Sequence, residues 1–219
     1  MAQIYLMRHG QTDMNIQHML QGRTNTHLNE TGKEMARGAG KFLEQAGIHP
    51  DLCLVSPLDR VKETVAIATG IDPASFQEEP LLIEFCFGKY EGVPACEMAP
   101  DFHHMFFEEP DKCVMPSDAE SYQDILGRAR AFLQKMAENY TTDDRTIFCG
   151  THGGFLHALL VEAQGKALAD FWDVPVKNCA VFRLDINVDP AQPSGYSYHM
   201  EQIFEGFGDS YSKNKVVIK

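Results

Sequence analysis

Short apolar runs alternate along this chain with longer stretches of helical period. The first run, Ile4, Tyr5, Leu6 and Met7, stops at Arg8, His9 and Gly10. Thr31 and Glu34 then have capping-box spacing, and Met35, Ala39, Phe42, Leu43 and Ala46 recur at helical intervals until Gly47, which predicts an amphipathic helix. Residues 51–56 hold Leu52, Leu54 and Val55 and predict a strand. Pro57 turns the chain into a helix marked by Val61, Val65 and Ala68 and ended by Gly70. A second capping-box pair, Ser117 with Glu120, predicts the start of the longest helix, whose apolar positions Ile125, Ala129, Phe132 and Met136 keep a 3.6-residue period. Residues 146–151 read as a buried strand. Gly153 and Gly154 lead into a helix carrying Phe155, Leu156, Leu159, Leu160 and Ala163, closed by Gly165. Two β-like runs, 180–186 and 196–203, are separated by Pro190, Pro193 and Gly195.

Strands that alternate with helices predict an α/β fold, a mostly parallel central sheet covered on both faces. A length of 219 residues suits one sizeable core, and no internal repeat or low-complexity linker divides it, so a single domain over 1–219 is expected. The region 93–117 stands apart. Pro94, Pro100, Pro110 and Pro116 surround Met98, Phe102, Met105, Phe106 and Phe107, which reads either as a lid-like excursion or as plain core packing.

Composition removes several function classes. Hydrophobic residues make up 44% and charged residues 23%, as in an ordinary globular protein. A net charge of −12 argues against nucleic acid and anionic membranes, which need basic surfaces, so an anionic ligand must be held by a local cluster of Arg and His. No 18-residue apolar run is present and no basic segment precedes the first apolar stretch, so a cytoplasmic protein is expected. The six cysteines are never two or three apart and read as thiols. His103 and His104 are adjacent, cannot easily chelate together, and lack a third ligand, so no metal site is expected.

Three strand ends carry the candidate chemistry. Arg8 and His9 close the first strand, Ser56 and Pro57 the second with Arg60 one turn into the following helix, and Thr151, His152 and Gly153 close the later one. Arginine offers a fork of donors suited to phosphate, neutral imidazole can attack phosphorus, and helix N-termini attract anions. Successive strand side chains face opposite ways, so Arg8 and His9 can share one phosphate only where the strand has broken, and Gly10 is read as a conformational glycine at that bend.

These motifs resemble the histidine phosphatase superfamily, also called the phosphoglycerate mutase-like family. The resemblance runs through Arg8-His9-Gly10 with Thr12 and Asn15, Gln21 and Gly22, residues 28–32, and Ser56, Pro57, Leu58, Arg60 and Thr64. It continues through Glu84, Gly88, Glu91 and Gly92, Glu120 and Ser121, and Thr151-His152-Gly153. It implies a three-layer α/β/α sandwich and a phosphohistidine intermediate without metal or organic cofactor. By the same resemblance His9 would be the nucleophile, while Arg8, Arg60 and His152 would clamp the phosphoryl oxygens, joined by Asn15 and the Gly153 amide. Glu84 would protonate the leaving oxygen and then accept a proton from water. That role asks for a carboxyl kept protonated near neutral pH by apolar neighbours such as Leu82, Phe85 and Phe87. Gln21, Gly22 and Arg23 would line the entrance.

Hydrolysis of a small phosphorylated metabolite, a histidine acid-type phosphomonoesterase, is the expected reaction. The mutase branch carries an Asn two positions after the second histidine, where this chain has Gly154. Its 93–117 segment has no paired arginines and holds Glu97, Asp101, Glu108, Glu109 and Asp111, which would repel a bisphosphorylated sugar acid. Mutase-type phosphoryl transfer and a non-catalytic phospho-ligand binding module are the alternatives. Association into a homo-oligomer, the physiological ester and the pathway are left open.

Overall fold

In the computed structural model, which describes residues 3–208, six strands form one sheet in the order β3-β2-β4-β1-β5-β6. The strands are β1 (Gln3–Arg8), β2 (Leu52–Val55), β3 (Gln77–Glu78), β4 (Thr146–Thr151), β5 (Val181–Val188) and β6 (Tyr196–Phe204). β3, β2, β4 and β1 are mutually parallel, and β5 and β6 add an antiparallel edge. The helices are α1 (Asp13–Ile16), α2 (Glu30–Gln45), α3 (Asp59–Thr69), α4 (Pro100–Glu108), α5 (Tyr122–Tyr140) and α6 (Gly153–Gln164).

The period-two alternation of β1 sorts its side chains between two cores. Ile4 and Leu6 face one core with Ile147, Cys149 and the apolar faces of α5 and α6, while Tyr5 and Met7 face the other with Phe148, α2 and α3. The result is the three-layer α/β/α sandwich. Gly150 shows how tightly it packs, since a Cβ there would lie 2.5 Å from Val65 Cγ2 and 2.6 Å from Val61 Cγ1.

Two helix starts differ from the expected ones. α2 is capped by Asn29, whose side chain accepts from the Gly32 amide, and α5 is capped by Ser121 in a capping box with Asp124. Thr31 lies inside its helix and Ser117 lies in the turn that precedes α5, because the residue whose oxygen reaches free amides takes the cap, and spacing alone does not single it out. The 93–117 segment is not Pro-rich coil throughout. Pro100 stands in the first turn of α4, where a missing N–H costs nothing, and the helix inserts Phe106 and Phe107 into the core with Met98.

Parallel pairing with Arg8 opposite Thr151 and Val55 opposite Gly150 brings the carboxyl ends of β1, β2 and β4 to one edge. Open α/β sheets form ligand crevices at such edges.

Candidate active site

His9 follows the last residue of β1 and is 2% exposed, held on both sides of its peptide. Its amide donates to the Thr151 carbonyl at 3.0 Å, and its carbonyl accepts from the Asn178 side chain at 3.0 Å and from the Cys179 amide. The ring is oriented by Nδ1 against the Gly10 carbonyl at 2.7 Å. A carbonyl can only accept, so Nδ1 carries the proton and Nε2 keeps its lone pair. Burial, then Arg60 and Arg8, hold the pKa of His9 well below the ordinary histidine value. The imidazole is therefore neutral, the form that can act as a nucleophile.

Gly10 has a different reason from the expected one. Its backbone needs no left-handed angle; a Cβ there would meet the Gly32 carbonyl oxygen at 2.7 Å. The glycine lets the start of α2 press against the loop after β1, while its amide donates to Thr64 on α3.

Arg60, in the first turn of α3, is fully buried. Its Nη1 and Nη2 donate to the Thr24 and Gly22 carbonyls, each at 2.7 Å, and its Nε has no hydrogen-bond partner. Burial lowers its pKa to about 10, which leaves it charged at neutral pH. Arg8 donates to the Val176 carbonyl at 2.6 Å. His152 stands 5.3 Å from His9, ring to ring, and its Nε2 lies 2.7 Å from the Ser56 hydroxyl. With that hydroxyl donating, Nδ1 bears the proton, and Nδ1 too is buried without a partner. Burial and the neighbouring cations lower the pKa of His152 as they do that of His9.

Glu84 meets the start of α6. Its Oε1 accepts from the Phe85 amide at 2.8 Å and the Phe155 amide at 3.1 Å, and its Oε2 accepts from the Gly154 amide at 3.2 Å. Its surroundings are thus not the purely apolar ones expected from Leu82, Phe85 and Phe87, because three N–H donors face the carboxyl group. Glycine at 154 allows this contact, since a Cβ there would stand 2.7 Å from Glu84 Oε1.

A narrow cleft of about 50 Å³ is lined by Arg8, His9, Asn15, Gln21, Glu84 and Gly153 together with apolar side chains. Thr12 occupies the Asn15 and Gln21 side-chain oxygens, which turns their amide nitrogens to the cleft as donors. Arg60 and His152 stand behind its lining rather than in it, and Gly22 and Arg23 do not line it either. Gly22 supplies a carbonyl to Arg60 from a left-handed turn packed on Glu91, and Arg23 is an exposed side chain paired with Glu120.

Three supporting residues escaped the reading of site roles from sequence. Arg128 on α5 grips the carbonyls of Leu81, Ile83 and Glu84 while bridging to Glu120, and so fixes the turn that bears Glu84. Asn178 anchors His9, and His157 lines the cleft. None has a local signal, because each acts on a segment remote in sequence.

Comparison with known proteins identifies the family. The family model of the histidine phosphatase superfamily (branch 1) matches residues 4–196. The chain is 30% identical over 165 residues to the Bacillus subtilis (strain 168) protein named uncharacterized phosphatase PhoE, covering 75% of this chain and 79% of that one. It is 25% identical over 231 residues to phosphoglycerate mutase 1 of Saccharomyces cerevisiae, covering 90% and 92%. In fold it is similar to a mycobacterial glucosyl-3-phosphoglycerate phosphatase, with a TM-score of 0.77 at 22% identity over 94% of this chain and 99% of the other. With the match extending over most of its length, the chain belongs to branch 1 of the histidine phosphatase superfamily.

Proposed function

We propose that this protein is a metal-independent phosphatase that hydrolyses a small phosphomonoester through a phosphohistidine on His9. The observation that carries the reading is the neutral ring of His9, held by Nδ1 on the Gly10 carbonyl with Nε2 keeping its lone pair, lining one cleft with Arg8, Asn15, Glu84 and Gly153. His152 stands 5.3 Å behind that ring and the Arg60 charge acts on both, so a phosphoryl group at His9 would meet cations from three strand ends.

Arg8, Arg60, His152, Asn15 and the Gly153 amide hold the phosphoryl oxygens, and positioning with charge stabilisation supplies most of the catalysis. His9 Nε2 attacks phosphorus as the ester P–O bond breaks, and Glu84 gives its proton to the leaving oxygen. Water then attacks the phosphohistidine, Glu84 takes a proton from it, and phosphate leaves with the His9 lone pair restored. Gln21 closes the entrance from the side of α1, and Gly22 and Arg23 act from behind and at the rim.

Hydrolysis is favoured over mutase transfer by the Glu84 carboxyl group lying against Gly154, where no side chain fits to hold a second anionic group. The acidic residues of the 93–117 segment point the same way. A soluble cytoplasmic enzyme acting on a small metabolite is the setting we infer. The test is turnover of phenyl phosphate in excess chelator, with rapid-quench ³²P labelling. Label on His9, lost together with activity in His9→Ala, is expected; strict metal dependence or an unlabelled His9 refutes the proposal.

A further inference from the structure

Behind the phosphoryl end the cleft continues between Met19, Leu20, Phe87, Phe107, Trp172 and Val176, and one polar side chain, His157, interrupts this apolar wall. Trp172 presents only its ring, because its Nε1 already donates to the Phe106 carbonyl at 2.8 Å and to the Tyr122 hydroxyl at 2.9 Å. His157 is 3% exposed and packs edge-on against Trp172, with centroids 4.7 Å apart. The Phe171 carbonyl draws the N–H of its ring, and Nδ1 has no hydrogen-bond partner among the described residues. Burial, with Arg8 adding to it, pushes its pKa down to about 3, so the ring is neutral and has a single N–H. With that proton spent on Phe171, the other ring nitrogen can only accept.

We propose that His157 is a specificity-determining residue of this site, accepting a hydrogen bond from a hydroxyl or N–H on the alcohol part of the substrate. The substrate class is then the monophosphate of a compact aromatic or apolar alcohol with one donor group away from the phosphate. The ring of that alcohol lies among Phe87, Phe107 and Trp172, where stacking and edge contacts favour a flat apolar body. A buried acceptor gains most from a partner in such a dry wall, and an analogue without the donor leaves it unpaired. The helix α4 of the 93–117 segment takes part through Phe107, which makes that segment a wall of the leaving-group site.

The inference rests on the phosphatase reading above, and the experiment separates the two. Phenyl phosphate, its ortho-, meta- and para-hydroxy derivatives and the matching methoxy derivatives are compared by kcat/KM in the wild-type protein. At one ring position the hydroxy ester is expected to exceed its methoxy partner by about tenfold, the effect of one buried neutral hydrogen bond. In His157→Leu this ratio falls to about one, and in His157→Gln, which keeps an acceptor oxygen, part of it returns. Equal rates for every hydroxy and methoxy pair in the wild-type protein, or a preference that persists in His157→Leu, overturn the proposal while phenyl phosphate turnover continues. No turnover of any ester overturns the phosphatase reading itself. The wild-type comparison stands even where the Leu variant fails to fold.

Discussion

Acid should weaken this fold well before its carboxylates titrate, because three buried histidines refuse protons that the unfolded chain accepts. For His157 the ordinary value is 6.5 and the folded value about 3. Stability from this residue is complete above pH 6.5 and is lost as the pH falls, until the native ring itself titrates near 3. One pKa unit corresponds to about 1.4 kcal/mol, so at about pH 5 His157 alone removes about 2 kcal/mol, and about 5 kcal/mol at the acid limit. His9 and His152, both held down by burial and by Arg60 and Arg8, act with the same sign. His27, drawn up by Glu63 at the surface, and Glu162, raised by partial burial, act in the opposite direction. The lowered carboxylates Asp124 and Asp143 start from an ordinary value of 3.8, and Glu30 and Glu109 from 4.5, so the interval between 6.5 and 5 belongs mainly to the histidines. Domain stabilities are only about 5–15 kcal/mol, which makes the loss large. The single tryptophan, Trp172, is 4% exposed and abuts His157, so urea unfolding can be followed by its fluorescence at a series of pH values. His157→Phe should flatten the slope by about one proton, or about 1.4 kcal/mol per pH unit. A free energy of unfolding that stays constant between about pH 7.5 and 5 would refute the reasoning.

Two substitutions probe the setting of Glu84. Arg128→Leu should lower kcat about tenfold with little change in inorganic phosphate affinity, and cost about 1–3 kcal/mol of stability by leaving the Leu81 and Ile83 carbonyls without their donor while Glu120 keeps Arg23 and the Cys86 amide, as steady-state kinetics and urea melts would report; an unchanged kcat with Glu84 still in place would show that the grip on its turn is purely structural. Gly154→Asn should push the Glu84 carboxyl off its three amides and cut ester hydrolysis about a hundredfold while phosphate still binds, and undiminished turnover would remove Glu84 from proton transfer.

The sequence carried those features that local periodicity or a strand-to-glycine junction can write. β4 matches its apolar run residue for residue, the αL glycines at 70 and 165 end their helices, and the three strand ends bearing Arg8, His9, Arg60 and His152 lie at one sheet edge. What local signals could not write depends on partners far along the chain. Asn29 and Thr31 both carry capping oxygens, and only the path of the preceding loop decides which meets a free amide. Gly10 is required by a carbonyl of residue 32, not by its own dihedral angles. α4 was hidden because prolines that usually break helices here sit at its start and beyond its end. Glu84 was legible as a carboxyl among apolar neighbours, but two of its three amide partners, Gly154 and Phe155, lie 70 and 71 residues away. His157 falls on a helix otherwise buried all round, where a histidine has no pattern to distinguish it from core.

Electrostatics explain how a chain of net charge −12 can still receive an anion. Arg37, Arg128, Arg130, Arg145 and Arg183 each lie against a carboxylate, which cancels their fields locally. Arg60 is treated differently: its outer nitrogens are held by two backbone carbonyls, and Glu84 and Glu91 act on it only through space. Carbonyl dipoles fix the guanidinium without neutralising it, so its charge still acts on the site through space. The same charge, acting with Arg8 in a water-poor setting, keeps His9 and His152 unprotonated. On the proposed reading, anion affinity and a neutral nucleophile are therefore one design, and the loop 22–24 that supplies the carbonyls governs both.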